Sequence, residues 1–183
     1  MAVLTTRGLL VRRHPYRETS ILSTWFTDEC GPIDVLILGA NRNRSPFRYH
    51  IDLFYSCEIT LSHSEGRSLD FLKEIKLLSP HLRLRRDFIT LQTARYLCTL
   101  TESVSEPYTP AVELSELLHK ALAYLDSHSP SVRLVRRFEI KLMHLSGLKG
   151  ETESDFLSSM HAHHYRIPPQ RARLYQLLSS ASL

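Results

Sequence analysis

At 183 residues, 43% of them hydrophobic and 23% charged, the chain is long enough to bury a core and too apolar for wholesale disorder. Lysine and arginine number 23 against 19 carboxylates, giving +4 at pH 7, a balance that leans toward a polyanionic partner. Only Lys73, Lys76, Lys120, Lys141 and Lys149 are lysine, and arginine suits bidentate contact with phosphate, although drift in an arginine-rich genome explains the same bias. Cys30, Cys57 and Cys98 lie far apart and read as reduced, mostly buried thiols. The opening M-A-V-L-T-T-R-G-L-L-V-R-R has no secretory h-region, and no apolar stretch approaches the ~20 residues of a membrane helix. A cytoplasmic chain is expected.

The first half has strand character. Gly8 to Arg13 begins it and His14-Pro15-Tyr16 is expected to break it. Thr19 to Thr27 is apolar on both faces, D-E-C-G-P at 28–32 reads as a turn, and Ile33, Val35 and Ile37 alternate up to Gly39. After a basic loop, Tyr49, Ile51, Leu53, Tyr55, Cys57, Ile59 and Leu61 occupy every second position, predicting one long fourth strand. His63-Ser64-Glu65-Gly66 turns the chain into a fifth strand with Leu69, Phe71, Ile75 and Leu77. Five strands in so short a span suit a small closed or nearly closed barrel.

Beyond Ser79-Pro80 the period becomes helical, so the expected division is a β domain at 1–79 and a helical domain at 80–183. A long helix runs from Phe88 to near Glu106, and a second starts at Thr109-Pro110 with Leu114, Leu118, Leu122 and Leu125 on its stripe. A third starts at Ser129-Pro130 and ends at Gly147, and a short one spans 170–180, with loop before it.

Chemistry is scarce. No Walker loop, dinucleotide fingerprint or nucleophile elbow occurs, and Cys30 sits among carboxylates that disfavour its thiolate, so no enzyme is expected. His161, His163 and His164 form the one metal-like cluster, which would suit a metal-dependent hydrolase. No second ligand pair completes it, so neither metal nor cofactor is expected. Gly147-Leu148-Lys149-Gly150 matches the GXXG of a KH clamp but serves equally as a helix cap.

Two basic sets remain. Arg12, Arg13 and Arg17, with Arg42, Arg44 and Arg48, are interleaved with Tyr16, Phe47 and Tyr49, which suits phosphate contact plus base stacking. The plainer reading makes the aromatics a barrel plug and the arginines a solvated rim. On the third helix Arg133, Arg136, Arg137, Lys141 and His144 share one side beside an apolar stripe. That suits an acidic peptide ending in hydrophobic residues, more nucleic acid, or an exposed face with Glu139 as counter-charge.

Four stretches in order, T-R-G-L-L-V-R-R-H-P-Y-R-E-T-S-I-L-S-T-W-F-T-D-E-C-G, L-G-A-N-R-N-R-S-P-F-R, A-R-Y-L-C-T-L-T-E-S-V-S-E-P-Y and R-R-F-E-I-K-L-M-H-L-S-G-L, resemble the bacterial DNA repair RecO family over residues 6 to 148. The resemblance implies an α+β chain, a five-stranded OB-fold followed by an all-α helical bundle. It also implies a recombination mediator that binds single- and double-stranded DNA and anneals complementary strands. Its partners would be RecR and the acidic tail of single-strand-binding protein, and it would promote RecA loading. On that footing Arg12, Arg13, Arg17, Arg42, Arg44 and Arg48 are the nucleic-acid candidates, and Arg133, Arg136, Arg137 and Lys141 the partner candidates. Many members carry a four-cysteine zinc module after the third helix; this chain has no cysteine past Cys98, so no zinc is expected and the role of 150–183 is open. The alternative is an RNA- or single-strand-DNA-binding OB scaffold without mediator activity.

Overall fold

The structure is a computed structural model that describes residues 2–63 and 69–180. The chain divides into two compact units, Met1–His81 with Glu106–Ser115, and Leu82–Ser105 with Glu116–Leu183.

The first unit holds five strands, β1 (Ala2–Tyr16), β2 (Ser20–Thr27), β3 (Gly31–Ile37), β4 (Ser56–His63) and β5 (Asp70–Ser79). They close in the order β1-β2-β3-β5-β4, the arrangement of an OB-fold. β1 serves two partners: Ala2–Leu9 pair with β4, and Gly8–Tyr16 pair with β2. A bulge between Leu10 and Arg12 lies just past the residues they share and bends the strand from one neighbour to the other. Gly8 sits at the changeover, where a Cβ would come within 3.2–3.3 Å of Thr27, Ile59 and Trp25. Closure is completed by a short parallel contact, Val35 with Asp70 and Leu36 with Phe71.

Leu10, Trp25, Val35, Ile37, Ile59 and Leu61 fill the interior. The Trp25 indole N–H donates to Ser23 Oγ at 2.9 Å, and Ser23 Oγ donates to the Val35 carbonyl, so burying these polar atoms leaves none unpaired. The segment 106–115 packs on this unit. Ala111 N–H donates to Asp28 O, and Ser115 Oγ donates to Asp28 Oδ1, whose other oxygen faces Arg7 Nε at 3.0 Å. Buried Asp70 lies 2.8 Å from His63 Nδ1 and accepts from Tyr108 Oη at 3.4 Å.

Two strand expectations are corrected. His14-Pro15-Tyr16 does not break β1, which runs on to Tyr16. β4 pairs only as far as Leu9, so Pro15 faces β2 alone, an edge where a missing N–H costs little. The long fourth strand from Tyr49 is also wrong: β4 begins at Ser56. Residues 49–55 are loop, with Phe54 at φ +65° and Asp52 Oδ1 accepting from Leu53 N. Of the alternating Tyr49, Ile51, Leu53 and Tyr55 only Ile51 is buried; the loop's other buried anchor, Phe54, falls between them. The expected turn at 64–66 lies outside the described residues.

The second unit contains α1 (Phe88–Ser103), most of α2 (Val112–Leu125), α3 (Val132–Leu145), α4 (Glu153–Ala162) and α5 (Arg171–Ser180). Asp87 caps α1 by accepting from Thr90 N, and Ser131, not Ser129, caps α3 by accepting from Leu134 N. At the end of α3, Gly147 at φ +77° and the bonds Leu148 N to Met143 O and Gly147 N to His144 O make a Schellman cap. Gly147 is therefore a helix stop, not a KH clamp. α2 starts at Val112, with Ser115 N donating to Ala111 O, two residues beyond the expected proline start. α4 was expected to be loop. A capping box pairs Thr152 with Asp155 there, and Phe156 and Met160, one turn apart, are buried.

Glu139, expected on an exposed face, is 1% exposed. Its carboxylate receives Arg171 Nε at 2.7 Å and Nη2 at 2.9 Å, Tyr96 Oη at 2.5 Å and Tyr175 Oη at 2.8 Å. This four-way junction ties α5 and α1 to α3 through a bidentate, charge-assisted pair.

Candidate nucleic-acid interface

The first basic set lies on one end of the barrel, because the β1–β2 hairpin and the 38–55 loop are stitched together. Asn41 N–H donates to Thr19 O at 2.9 Å and Gly39 N–H to Ser20 Oγ at 3.4 Å. Lower on the hairpin, Phe54 N–H donates to Leu10 O and Leu10 N–H to Tyr55 O. The loop is a chain of tight turns, Arg42 N to Gly39 O, Ser45 N to Arg42 O, and His50 N to Phe47 O. Ala40, Ile51 and Phe54 are buried and Phe47 packs on the core. Apolar anchors thus alternate with exposed arginines, and the aromatics divide: Phe47 packs on the core as the plug reading expects, while Tyr49 is 78% exposed and plugs nothing.

The arginines divide by role. Arg42, Arg44 and Arg48 are exposed on the loop. Gly39, at φ +66°, leaves room for Arg42, whose Cδ would lie 3.2 Å from any added Cβ. Arg48 Nη1 donates to Asn43 Oδ1 at 3.4 Å. Arg12 and Arg17 are exposed on the hairpin, and the Arg17 guanidinium sits 5.5 Å from the Tyr16 ring centre, within cation–π range. Arg13 is spent differently: Nη1 donates to Ile51 O at 2.6 Å and lies 3.6 Å from Asp52 Oδ1, holding loop to hairpin. The arrangement offers exposed cations and an exposed aromatic ring, Tyr49, on an anchored loop and hairpin, the groups that contact with phosphates and unstacked bases requires.

The second set spreads over two adjoining grooves. Arg133, Arg137 and Lys141, each one turn apart, line a groove of about 470 Å³ between α2 and α3, with Leu117, Ala121 and Phe138 among its apolar walls. Tyr124, stacked on His128 at 4.1 Å, borders it. Arg136 lies outside that groove. Its Nη2 pairs with Glu153 Oε2 at 2.8 Å and its guanidinium lies 5.9 Å from the Tyr175 ring centre. Arg137 and Lys141 also border the adjoining groove, which Arg136 and His144 share with the acidic start of α4.

The remaining candidates are quiet. Burial holds all three thiols above their ordinary range, Cys57 up to about 12, with Asp70 adding to the effect at Cys30. His161, His163 and His164 are exposed near the end of α4, with His163 Nδ1 3.0 Å from Ser159 O. Among the described residues no group of three or more His, Cys, Asp or Glu is placed to hold a metal ion, and no helix is long and apolar enough to cross a membrane.

Comparison with known proteins agrees with the two-part architecture. A family model described as Recombination protein O N terminal matches residues 1–81, and one described as Recombination protein O C terminal matches residues 85–180. Among curated relatives, the DNA repair protein RecO of Alkaliphilus metalliredigens is 31% identical over 148 residues, covering 80% of this chain and 59% of its own length. Those of Rhodopirellula baltica (27% identical; 80% of this chain, 54% of its own) and Gloeothece citriformis (29% identical; 78% and 50%) are similar. The chain therefore spans little more than half the length of these relatives. With both halves matched in order, an OB-fold followed by a helical unit, the chain belongs to the Recombination protein O family.

Proposed function

We propose that the chain acts in DNA repair and recombination, without enzymatic chemistry, as a DNA-binding mediator. In this reading the barrel end binds single- and double-stranded DNA through Arg12, Arg17, Arg42, Arg44 and Arg48, with Tyr49 stacking on unpaired bases and Arg13 setting the platform. Neutralising phosphate on two strands lets them anneal. The α2–α3 groove takes the acidic, hydrophobic-ended tail of single-strand-binding protein, carboxylates on Arg133, Arg137 and Lys141 and the apolar end against Phe138. RecR binding, RecA loading and a cytoplasmic, nucleoid-associated setting complete the proposal. The observation that carries it is that the hairpin and the loop, joined by backbone hydrogen bonds at one barrel end, both carry exposed arginines, with exposed Tyr49 on the loop.

Fluorescence anisotropy with a labelled single strand tests it. Log affinity should fall by ~0.7 per phosphate contact per unit of log salt, and Arg42→Glu/Arg44→Glu/Arg48→Glu should weaken binding about a hundredfold and flatten that slope. Affinity unchanged by salt or by the triple variant would sink the reading. Tyr49 suits RNA as well as DNA, so matched RNA and DNA competitors separate the scaffold alternative: a 2′-OH reader prefers RNA. Arg133→Glu/Arg137→Glu should abolish tail-peptide binding and leave naked DNA bound.

A further inference from the structure

A further groove in the helical unit has no part in the foregoing. It runs between α1 and α5 and has a volume of about 390 Å³. Phe88, Gln92 and Arg95 come from one face of α1, and Gln170, Arg173 and Leu177 from the start and outer side of α5, with buried Leu174 as floor. The spacing of 88, 92 and 95 is that of one helix stripe. Phe88, at the first turn, is 53% exposed. Arg95 and Arg173 are exposed, no carboxylate lines the groove, and neither guanidinium has an ion-pair partner among the described residues.

We infer that this groove is a second binding site for single-stranded nucleic acid, holding a base against Phe88 and its flanking phosphates on Arg95 and Arg173. The lining selects that occupant. Two unpaired cations with no opposing acid call for an anion. A half-exposed aromatic ring offers a stacking face to any base. The Gln92 and Gln170 amides each present donors and an acceptor, as a base edge does. An acidic peptide would satisfy the cations, the glutamine amides and the leucine floor, but its carboxylate side chains bring no planar ring to stack on Phe88, which every base does. The volume limits the site to one or two nucleotides, so it binds a strand locally while the rest of that strand stays free. With the barrel end it gives the chain two separate strand sites, a consequence that rests on the barrel reading; the groove itself does not.

The test is photocrosslinking of the full chain to a thymine-rich oligonucleotide carrying 5-iododeoxyuridine, with the crosslinked peptide mapped by mass spectrometry. Wild type should crosslink at Phe88. The variant Arg95→Glu/Arg173→Glu changes only exposed side chains, and its circular dichroism and thermal melt should match wild type. It should lower that crosslink about tenfold and reduce the salt slope attributable to this site by about 1.4. The barrel triple variant, Arg42→Glu/Arg44→Glu/Arg48→Glu, should keep the Phe88 crosslink. Loss of total affinity in that variant with Phe88 still crosslinked separates the two sites; unchanged total affinity would count against the barrel reading alone. The inference is overturned if Phe88 does not crosslink, if Arg95→Glu/Arg173→Glu leaves the crosslink unchanged, or if an acidic peptide displaces it better than unlabelled oligonucleotide.

Discussion

Replacing Arg171 by Met keeps much of the side-chain volume and removes the charge that Glu139 was buried to meet. The two Glu139–Arg171 contacts at 2.7 and 2.9 Å would be lost, while the tyrosine hydroxyls of Tyr96 and Tyr175 would remain on the carboxylate. Burial alone would pull the Arg171 pKa down, but hydrogen bonds and charge from Glu139 more than reverse it. Burial and the Glu139 charge push both tyrosines up, so both stay protonated donors. Removing one partner of a buried pair costs about 3–5 kcal/mol. The expected loss at pH 7 is therefore about 3–5 kcal/mol. Urea melts followed by helix circular dichroism at pH 7 measure it. Glu139→Gln/Arg171→Met, which removes the stranded charge as well, should restore most of the loss. A penalty under about 1 kcal/mol would refute the assignment of this junction as the tie between α3 and α5.

Gly31→Ala should cost roughly 2–4 kcal/mol, from a left-handed backbone plus crowding, because at φ +59° its Cβ would meet the Glu106 and Thr109 carbonyls at 2.9 and 3.0 Å. Gly147→Ala, at φ +77° with nothing within 4 Å, should cost only the backbone part, about 1–2 kcal/mol; equal losses in thermal melts would contradict the packing argument. Glu153 is held below its ordinary 4.5 by the Arg171 hydrogen bond and by charge, and Asp155 below 3.8 by the backbone N–H groups of Glu151 and Thr152. At Asp87 burial pushes upward, but the bonds from Thr90 and Ile89 win and the net shift is also down. These carboxylates stabilise the fold above their unfolded values and stop doing so as pH falls through the folded ones. Acid unfolding should therefore set in below about pH 4.5 and be shallower in Glu153→Gln, with superimposable curves as the contrary result. The three raised thiols should react with a thiol reagent at pH 8 far more slowly than free cysteine; rapid modification of Cys57 in the folded protein would contradict its burial.

Period-2 and period-3.6 patterns carried much of the architecture, and the basic loop after Gly39 stood out as a change of composition. The errors have physical causes. Tyr49 to Tyr55 alternates like a strand in composition but not in burial, since the loop buries Ile51 and Phe54, three residues apart. Turn bonds from His50 N to Phe47 O and from Tyr55 N to Asp52 O, and the left-handed backbone at Phe54, mark it as a loop. α4 is too short for a convincing period, yet T-E-S-D at its start was a readable capping box. The partner stripe on α3 borders two grooves, which its sequence did not show: Arg133 lines the first, Arg136 the second, and Arg137 and Lys141 both. That Glu139 is buried, and that Arg136 is engaged by Glu153, depends on chain up to 32 residues further on, and no local pattern carries such a pairing. The α1–α5 groove was equally out of reach, since its halves lie some eighty residues apart.

The central claim is that this chain brings DNA strands together in the presence of the protein that normally keeps them apart. The measurement that tests it most directly is the annealing rate of complementary oligonucleotides coated with the cognate single-strand-binding protein, with and without this chain. Acceleration by wild type, lost in Arg42→Glu/Arg44→Glu/Arg48→Glu on bare and coated strands alike and lost in Arg133→Glu/Arg137→Glu on coated strands only, is the predicted result. No acceleration of coated strands by a protein that binds bare DNA well would contradict it.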